Sequence, residues 1–182
     1  MPEAKTLSRT PLYDLHVALG GRMVPFAGYE LPVQYKAGII GEHTHTRGAA
    51  SLFDVSHMGQ AVILGDDAVD AIEALVPGDI AGLERHHVRY TQLTNDAGGI
   101  IDDLMVTRLA DGLGLVVNGA RKQVDYAHLE AALAGSGCRF EPQPDRALLA
   151  LQGPQAVAAL RRHAGGCEKL TFMEAAAFDI GG

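Results

Sequence analysis

Arg89-Tyr-Thr-Gln-Leu-Thr94, Asn95-Asp-Ala-Gly-Gly99, Ile100-Ile-Asp-Asp-Leu-Met-Val-Thr-Arg108, Leu109-Ala-Asp-Gly112 and Leu113-Gly-Leu-Val-Val-Asn118 follow one another without interruption, and their reading decides the fold. The three longer pieces are rich in β-branched and other apolar residues, as strands are. The connections between them are far too short for the crossover that parallel neighbours require. Asn95 to Gly99 carries residues that tolerate the positive φ angles of a hairpin turn, and Ala110-Asp111-Gly112 supplies a second turn of the same kind. Three consecutive antiparallel strands are predicted over 89–94, 100–108 and 113–118.

Working outward, Leu52 to Leu64 is a long run of strand formers, stopped by Gly65-Asp66-Asp67, which also offers a helix cap. Val69, Ile72, Leu75 and Val76 then recur at helical spacing until Pro77-Gly78. Downstream, Arg121 to Leu133 is a helix with Tyr126, Leu129 and Leu133 on one face, ended by Gly135-Ser136-Gly137. The order β-α-β-β-β-α with hairpin links predicts an α+β fold, mainly antiparallel, with the helices near 66–76 and 121–134 on one face of the sheet.

Past Pro142 and Pro144 a second set of elements begins, a strand over Ala147 to Gln152 and a helix over Pro154 to His163. The first forty residues are punctuated by Gly20-Gly21, Pro25, Gly28 and Pro32, so an irregular lead-in is expected there, followed by a helix-compatible stretch from Gly38 to Ala50. The expected organisation is a discontinuous first domain made of residues 1–51 and 141–182, around a continuous α+β domain over 52–140.

Composition narrows the function. The 182 residues are 47% hydrophobic and 20% charged, which is ordinary for a folded domain. A formal charge of −7 with scattered Lys and Arg gives no platform for nucleic acid. The apolar runs fall far short of the ~20 residues of a membrane helix, so no membrane span is expected. Cys138 and Cys167 have no metal-ligand spacing and are expected to be free thiols. Residues 1–10 have neither an apolar core nor an Arg-rich amphipathic pattern, which makes a bacterial cytoplasm the expected compartment.

Few residues offer chemistry. His43 and His45 are two apart and would point to different sides of a helix, while His57, His86 and His87 form no metal spacing with the cysteines. Ser56 and His57, on neighbouring strand positions, would face opposite ways, so neither a metal site nor a triad is expected. Asp102-Asp103 is the exception. At the start of an apolar strand one carboxylate can cap the turn or face solvent while the other points inward, and an inward carboxylate needs a partner, such as an amine-bearing ligand. Both could equally be turn residues that bond to backbone amides.

The motifs Thr10-Pro-Leu-Tyr13, Met23-Val-Pro-Phe-Ala-Gly28, Leu31-Pro-Val-Gln-Tyr35, Leu52-Phe-Asp-Val-Ser-His-Met-Gly59, Thr94-Asn-Asp-Ala-Gly-Gly-Ile-Ile-Asp-Asp-Leu104, Leu115-Val-Val-Asn118 and Leu148-Leu-Ala-Leu-Gln-Gly-Pro154 occur in family order over nearly the whole chain. In them the sequence resembles the T-protein family of the glycine cleavage system, the folate-dependent aminomethyltransferases. The resemblance implies transfer of an aminomethyl group from the lipoyl arm of an H protein to tetrahydrofolate, with release of ammonia. It implies that Asp103 is the catalytic carboxylate, holding and polarising the folate amine nitrogens, and that Met58, Tyr90 and Asn118 line the folate pocket. Each also has a plainer role open to it: Met58 and Tyr90 in packing, Asn118 at a strand end.

Two departures stand out. Tyr29 occupies a position where the family usually has Trp, and the sequence reaches Gly181-Gly182 before the family's Tyr-Thr-Gly-Glu segment, a later folate-contacting Arg and the C-terminal β domain. The resemblance therefore covers a truncated T-protein-like fold whose isolated activity is not expected. Other readings in the superfamily are the folate domain of a sarcosine or dimethylglycine oxidase, a demethylase, or a non-catalytic folate-binding scaffold. Asp103 disfavours the demethylase and the scaffold.

Overall fold

A computed structural model describes residues 6–181. In chain order its elements are β1 (Ser8–Arg9), α1 (Tyr13–Ala18), β2 (Met23–Phe26), β3 (Tyr29–Pro32), α2 (Gly38–Gly48), β4 (Ser51–Asp54), β5 (Gly59–Leu64), α3 (Ala68–Glu73), β6 (Val88–Thr94), β7 (Ile100–Arg108), β8 (Gly112–Val117), α4 (Lys122–Leu133), β9 (Arg139–Pro142), β10 (Leu149–Gln152) and α5 (Ala156–Leu160), with a 3-10 turn at Cys167–Lys169. They divide into two compact units.

One unit, Met58–Pro144 with Lys169–Phe178, is built on a five-stranded sheet in the order β6-β7-β8-β5-β9. Every pairing in it is antiparallel, as the hairpin-length links require. The turn between β6 and β7 closes on Asn95, whose carbonyl accepts the Gly98 amide at 2.8 Å while its side-chain oxygen accepts the Ala97 and Gly99 amides. Gly98 takes φ +77°, the left-handed angle such a turn needs. Along the strands side chains alternate. Ala61 and Ile63, Leu93, Leu104 and Val106, and Leu113, Leu115 and Val117 are buried on one face, where Ala68 and Ile72 of α3 and Leu129 and Leu133 of α4 join them in one core. The fold is α+β and mainly antiparallel with flanking helices. The sole parallel pairing among the described strands is that of β1 with β3.

The other unit takes in the residues up to His57, Asp145–Glu168 and the stretch from Asp179. Here β10 pairs antiparallel with β4, and the Gln155 amide ahead of α5 donates to the Ala49 carbonyl at 3.0 Å. Gly153 sits at φ +120° where a Cβ would collide with the Ala49 and Thr46 carbonyls, so the turn into α5 needs glycine.

Three expectations are corrected. The run Leu52 to Leu64 is two strands rather than one, because Asp54 accepts the Ser56 amide at 2.9 Å and Ser56 Oγ accepts the Leu148 amide at 2.9 Å. That Asx turn places Ser56 and His57 off any strand, and pairing of β4 with β10 puts residues 52–57 in the first unit. Lys169–Phe178 belongs to the sheet unit, where Val88 donates to the Met173 carbonyl and Ala175 to the His86 carbonyl. Lastly, the lead-in is regular: it holds α1 and a β2–β3 hairpin whose turn, Ala27-Gly28, has positive φ at both positions. Alanine is a rare choice there, which hid the turn.

Candidate functional site

Asp102 and Asp103 are the third and fourth residues of β7, beyond the point where β8 has ended. The β7–β8 ladder closes with Leu104 opposite Val117, and β5 meets Val117 through Gly59. One position further out, Asp103, Asn118 and Met58 succeed one another across the sheet, with Gln92 opposite Asp103 on β6. By alternation this row belongs to the face away from the helices. Tyr90, two residues from Gln92 on the same side of β6, lies diagonally across from Asp103. Interaction with the Asp103 carboxylate holds the Tyr90 phenol above its ordinary pKa.

Asn118 ties the strand ends together. Its side-chain amide lies 3.1 Å from Asp103 Oδ1, 3.2 Å from the Asp103 carbonyl and 3.1 Å from Asp102 Oδ1, donating to all three in a shared fashion. Arg121, in the turn that leads into α4, donates to the Ile101 carbonyl at 3.4 Å. The edge of β7 that β8 leaves open is thus covered by side-chain donors.

The two carboxylates face opposite sides of the sheet. Asp102, not Asp103, shares the helix-packed side of β7 with Leu104 and Val106, because the buried positions are the even-numbered ones. Asp103 faces the other way, towards Tyr90 and Asn118. Across from Asp102, on the first turn of α4, stands Asp125, fully buried at 0% exposure. Burial and the neighbouring Asp102 carboxylate push its carboxyl up to about 7, although Arg121 pulls the other way. Sequence reasoning missed Asp125 and Gln92. A signal for Asp125 existed, since it opens the stripe 125, 129, 133 that Leu129 and Leu133 continue, but a charged residue there passes for the solvent side of the helix.

A cavity of about 550 Å³ opens beside Tyr90, lined also by His87, Arg89 and Met173. A second one, of about 540 Å³, lies in the other unit against a buried network. There His16 Nε2 is 2.8 Å from Asp54 Oδ2, His16 Nδ1 is 2.7 Å from the Tyr35 hydroxyl, and Thr10 donates to Asp54 at 2.6 Å. Burial alone would raise the Asp54 carboxyl, but bonds from Ser56, Thr10 and His16 outweigh it and hold it below its ordinary value. Among the described residues no group of three or more His, Cys, Asp or Glu could hold a metal, and Cys138 and Cys167 are free thiols.

Residues 12–182 match the family described as the GCVT N-terminal domain. The chain belongs to that family. It is 45% identical over 185 residues to the mitochondrial aminomethyltransferase of Homo sapiens, covering 98% of this chain and 46% of that one. The crystal structure of glycine cleavage system aminomethyltransferase T from Bartonella henselae superposes with a TM-score of 0.87 at 41% identity, over 92% of this chain and 46% of that one. The heterotetrameric sarcosine oxidase from Corynebacterium sp. U-96 shares only the fold, with a TM-score of 0.52 at 17% identity, over 87% of this chain and 68% of that one. The chain thus spans about half the length of the aminomethyltransferases it matches. Within this GCVT N-terminal domain no helix among the described residues is long and apolar enough to cross a membrane.

Proposed function

We propose that this chain carries the folate-side surface of an aminomethyltransferase of the glycine cleavage system. The substrates are tetrahydrofolate and the aminomethyl-lipoyl arm of an H protein. The products are 5,10-methylenetetrahydrofolate, ammonia and the dihydrolipoyl arm. The observation that carries this reading is Asp103, bonded by the Asn118 amide and set beside the Tyr90 phenol on the sheet face that also brings Met58 and Gln92 into line.

The Asn118 amide fixes the orientation of the Asp103 carboxylate and leaves lone pairs free, which is what an acceptor for an amine N–H requires. As the carbon leaves the lipoyl sulfur and the amine and joins two folate nitrogens, each nitrogen gives up a proton, one taken up by the departing amine and one by the lipoyl sulfur. A carboxylate beside the reacting nitrogens can hold them and carry the proton. Tyr90 is half exposed and offers a flat ring to a pterin, with Met58 as an adaptable apolar neighbour. Two free thiols fit a reducing compartment, for which we propose the bacterial cytoplasm.

The test uses the full-length protein, aminomethylated H protein and tetrahydrofolate in a coupled assay. Asp103→Asn is expected to lower turnover by about 10²-fold, the scale of a lost acid–base group. Its urea midpoint should stay unchanged, since Asp103 lies outside the helix-packed core. Turnover within a few-fold of the parent would remove Asp103 from the chemistry.

A further inference from the structure

Three carboxylate oxygens behind the site are buried without a hydrogen-bond donor: Asp102 Oδ2 and both oxygens of Asp125. Such groups are rare in folded proteins because each forfeits its hydration. The groups facing Asp125 are Asp102 and Asp103 from β7 and Arg121 from the turn ahead of α4. Arg121 is exposed and directs a guanidinium N–H to the Ile101 carbonyl. Two anions in this position would repel each other, and the exposed Arg121 offsets that only in part. A single proton removes the repulsion and converts one orphaned oxygen into a donor for another.

We propose that Asp125 is a neutral carboxylic acid that donates its proton in a hydrogen bond to Asp102, and that through Asp102 and Asn118 it is a positioning residue for Asp103. The inference rests on the role of Asp103 proposed above. Asp102 is the natural anion of the pair because it already accepts from Asn118 at 3.1 Å, whereas Asp125 has no other donor among the described residues. A hydrogen bond from Asp125 on one side and Asn118 on the other keeps the Asp102 carboxylate in line with the sheet. Asn118 is then fixed to bind Asp103 Oδ1 and the Asp103 carbonyl. With both carboxylates ionised, Asp102 would be driven off α4 and the Asn118 amide would follow it. Asp125 itself touches no substrate. Its effect is on where Asp103 points.

The experiment combines spectroscopy and kinetics on the full-length protein. On the acid side of neutrality the infrared spectrum should contain a carbonyl stretch of a protonated, buried carboxylic acid, sensitive to deuterium and missing from Asp125→Asn. Asp125→Ala should lower kcat by about tenfold with a much smaller change in KM for tetrahydrofolate, the size of effect expected when one charge-assisted bond is lost. Asp125→Asn, whose amide can still donate to Asp102, should recover most of that turnover. If Asp125→Ala fails to fold, the infrared comparison of the parent with Asp125→Asn still decides the matter. Absence of the band, or its persistence in Asp125→Asn, or equal loss of kcat in both variants, would overturn the inference. Failure of the functional reading is a separate outcome: full turnover in Asp103→Asn with the band intact.

Discussion

The role proposed for Asp103 depends on the Asn118 amide that binds it and the Tyr90 phenol beside it. Removing the hydroxyl alone should separate positioning from folding. Tyr90 is 52% exposed, so Tyr90→Phe should leave stability within about 0.5 kcal/mol. Loss of one hydrogen bond to a charged acceptor is worth about 1.5 kcal/mol, and turnover in the full-length protein should fall roughly tenfold. An unchanged kcat would show the Tyr90 hydroxyl to be idle. The buried pair His16 and Asp54 makes the opposite kind of prediction, in stability rather than turnover. The Asp54 carboxyl is held below its ordinary value in the folded chain, so its contribution is present above the range of unfolded carboxylates and is lost as pH falls through the folded value. The chain should lose stability on acidification, and Asp54→Asn should flatten that dependence in urea titrations at neutral and acid pH. A slope unaffected by the substitution would assign it to other carboxylates. Asp103 was legible in the sequence through its motif. The side it faces was not, because alternation says that two adjacent residues differ without saying which one meets the helices.

At the scale of elements, hairpins with explicit turn chemistry were legible and those without it were not. Asn95 to Gly99 announces its turn, and the strands on either side pair as their spacing requires. The β2–β3 hairpin turns on Ala27-Gly28 and was lost among prolines, while the apolar run through Leu52 to Leu64 concealed a break made by Asp54 and Ser56, whose partners are distant in sequence. How closely α4 lies on the sheet depends on a residue with no side chain. A Cβ on Gly59 would stand 2.6 Å from Val117 Cγ2 and 2.7 Å from the Tyr126 hydroxyl, inside van der Waals contact with both a strand and a helix. Gly59→Ala should therefore cost about 1–3 kcal/mol, the usual penalty of overpacking, read as a lower urea midpoint at unchanged m. A neutral effect would mean that α4 moves freely on β5.

For the whole molecule, fold class followed from the order and length of connections, whereas the partition into units depended on pairings such as β4 with β10 that no local pattern reveals. The same distinction governs what residues 1–182 can do by themselves. A reduced folate presents a flat pterin that wants apolar or aromatic walls and partners on its edge, and a glutamate tail whose carboxylates want Arg or Lys. In the proposed reading Met58, Tyr90, Asp103 and Asn118 would offer a wall and an edge, on a chain whose formal charge of −7 disfavours an anionic tail. Contacts supplied by the remaining half of a full-length aminomethyltransferase would each be worth about 1.5–3 kcal/mol if charge-assisted, so forgoing two of them weakens binding by roughly 10²–10⁴-fold. Side chains such as Ile40 and Phe172 are 82% and 88% exposed, so the isolated residues should also self-associate. Calorimetry is expected to find tetrahydrofolate binding to residues 1–182 weaker than to the full-length protein by at least the lower of those factors. Low-micromolar binding to residues 1–182 alone would show that Tyr90, Asp103 and their neighbours make a complete pocket without further contacts.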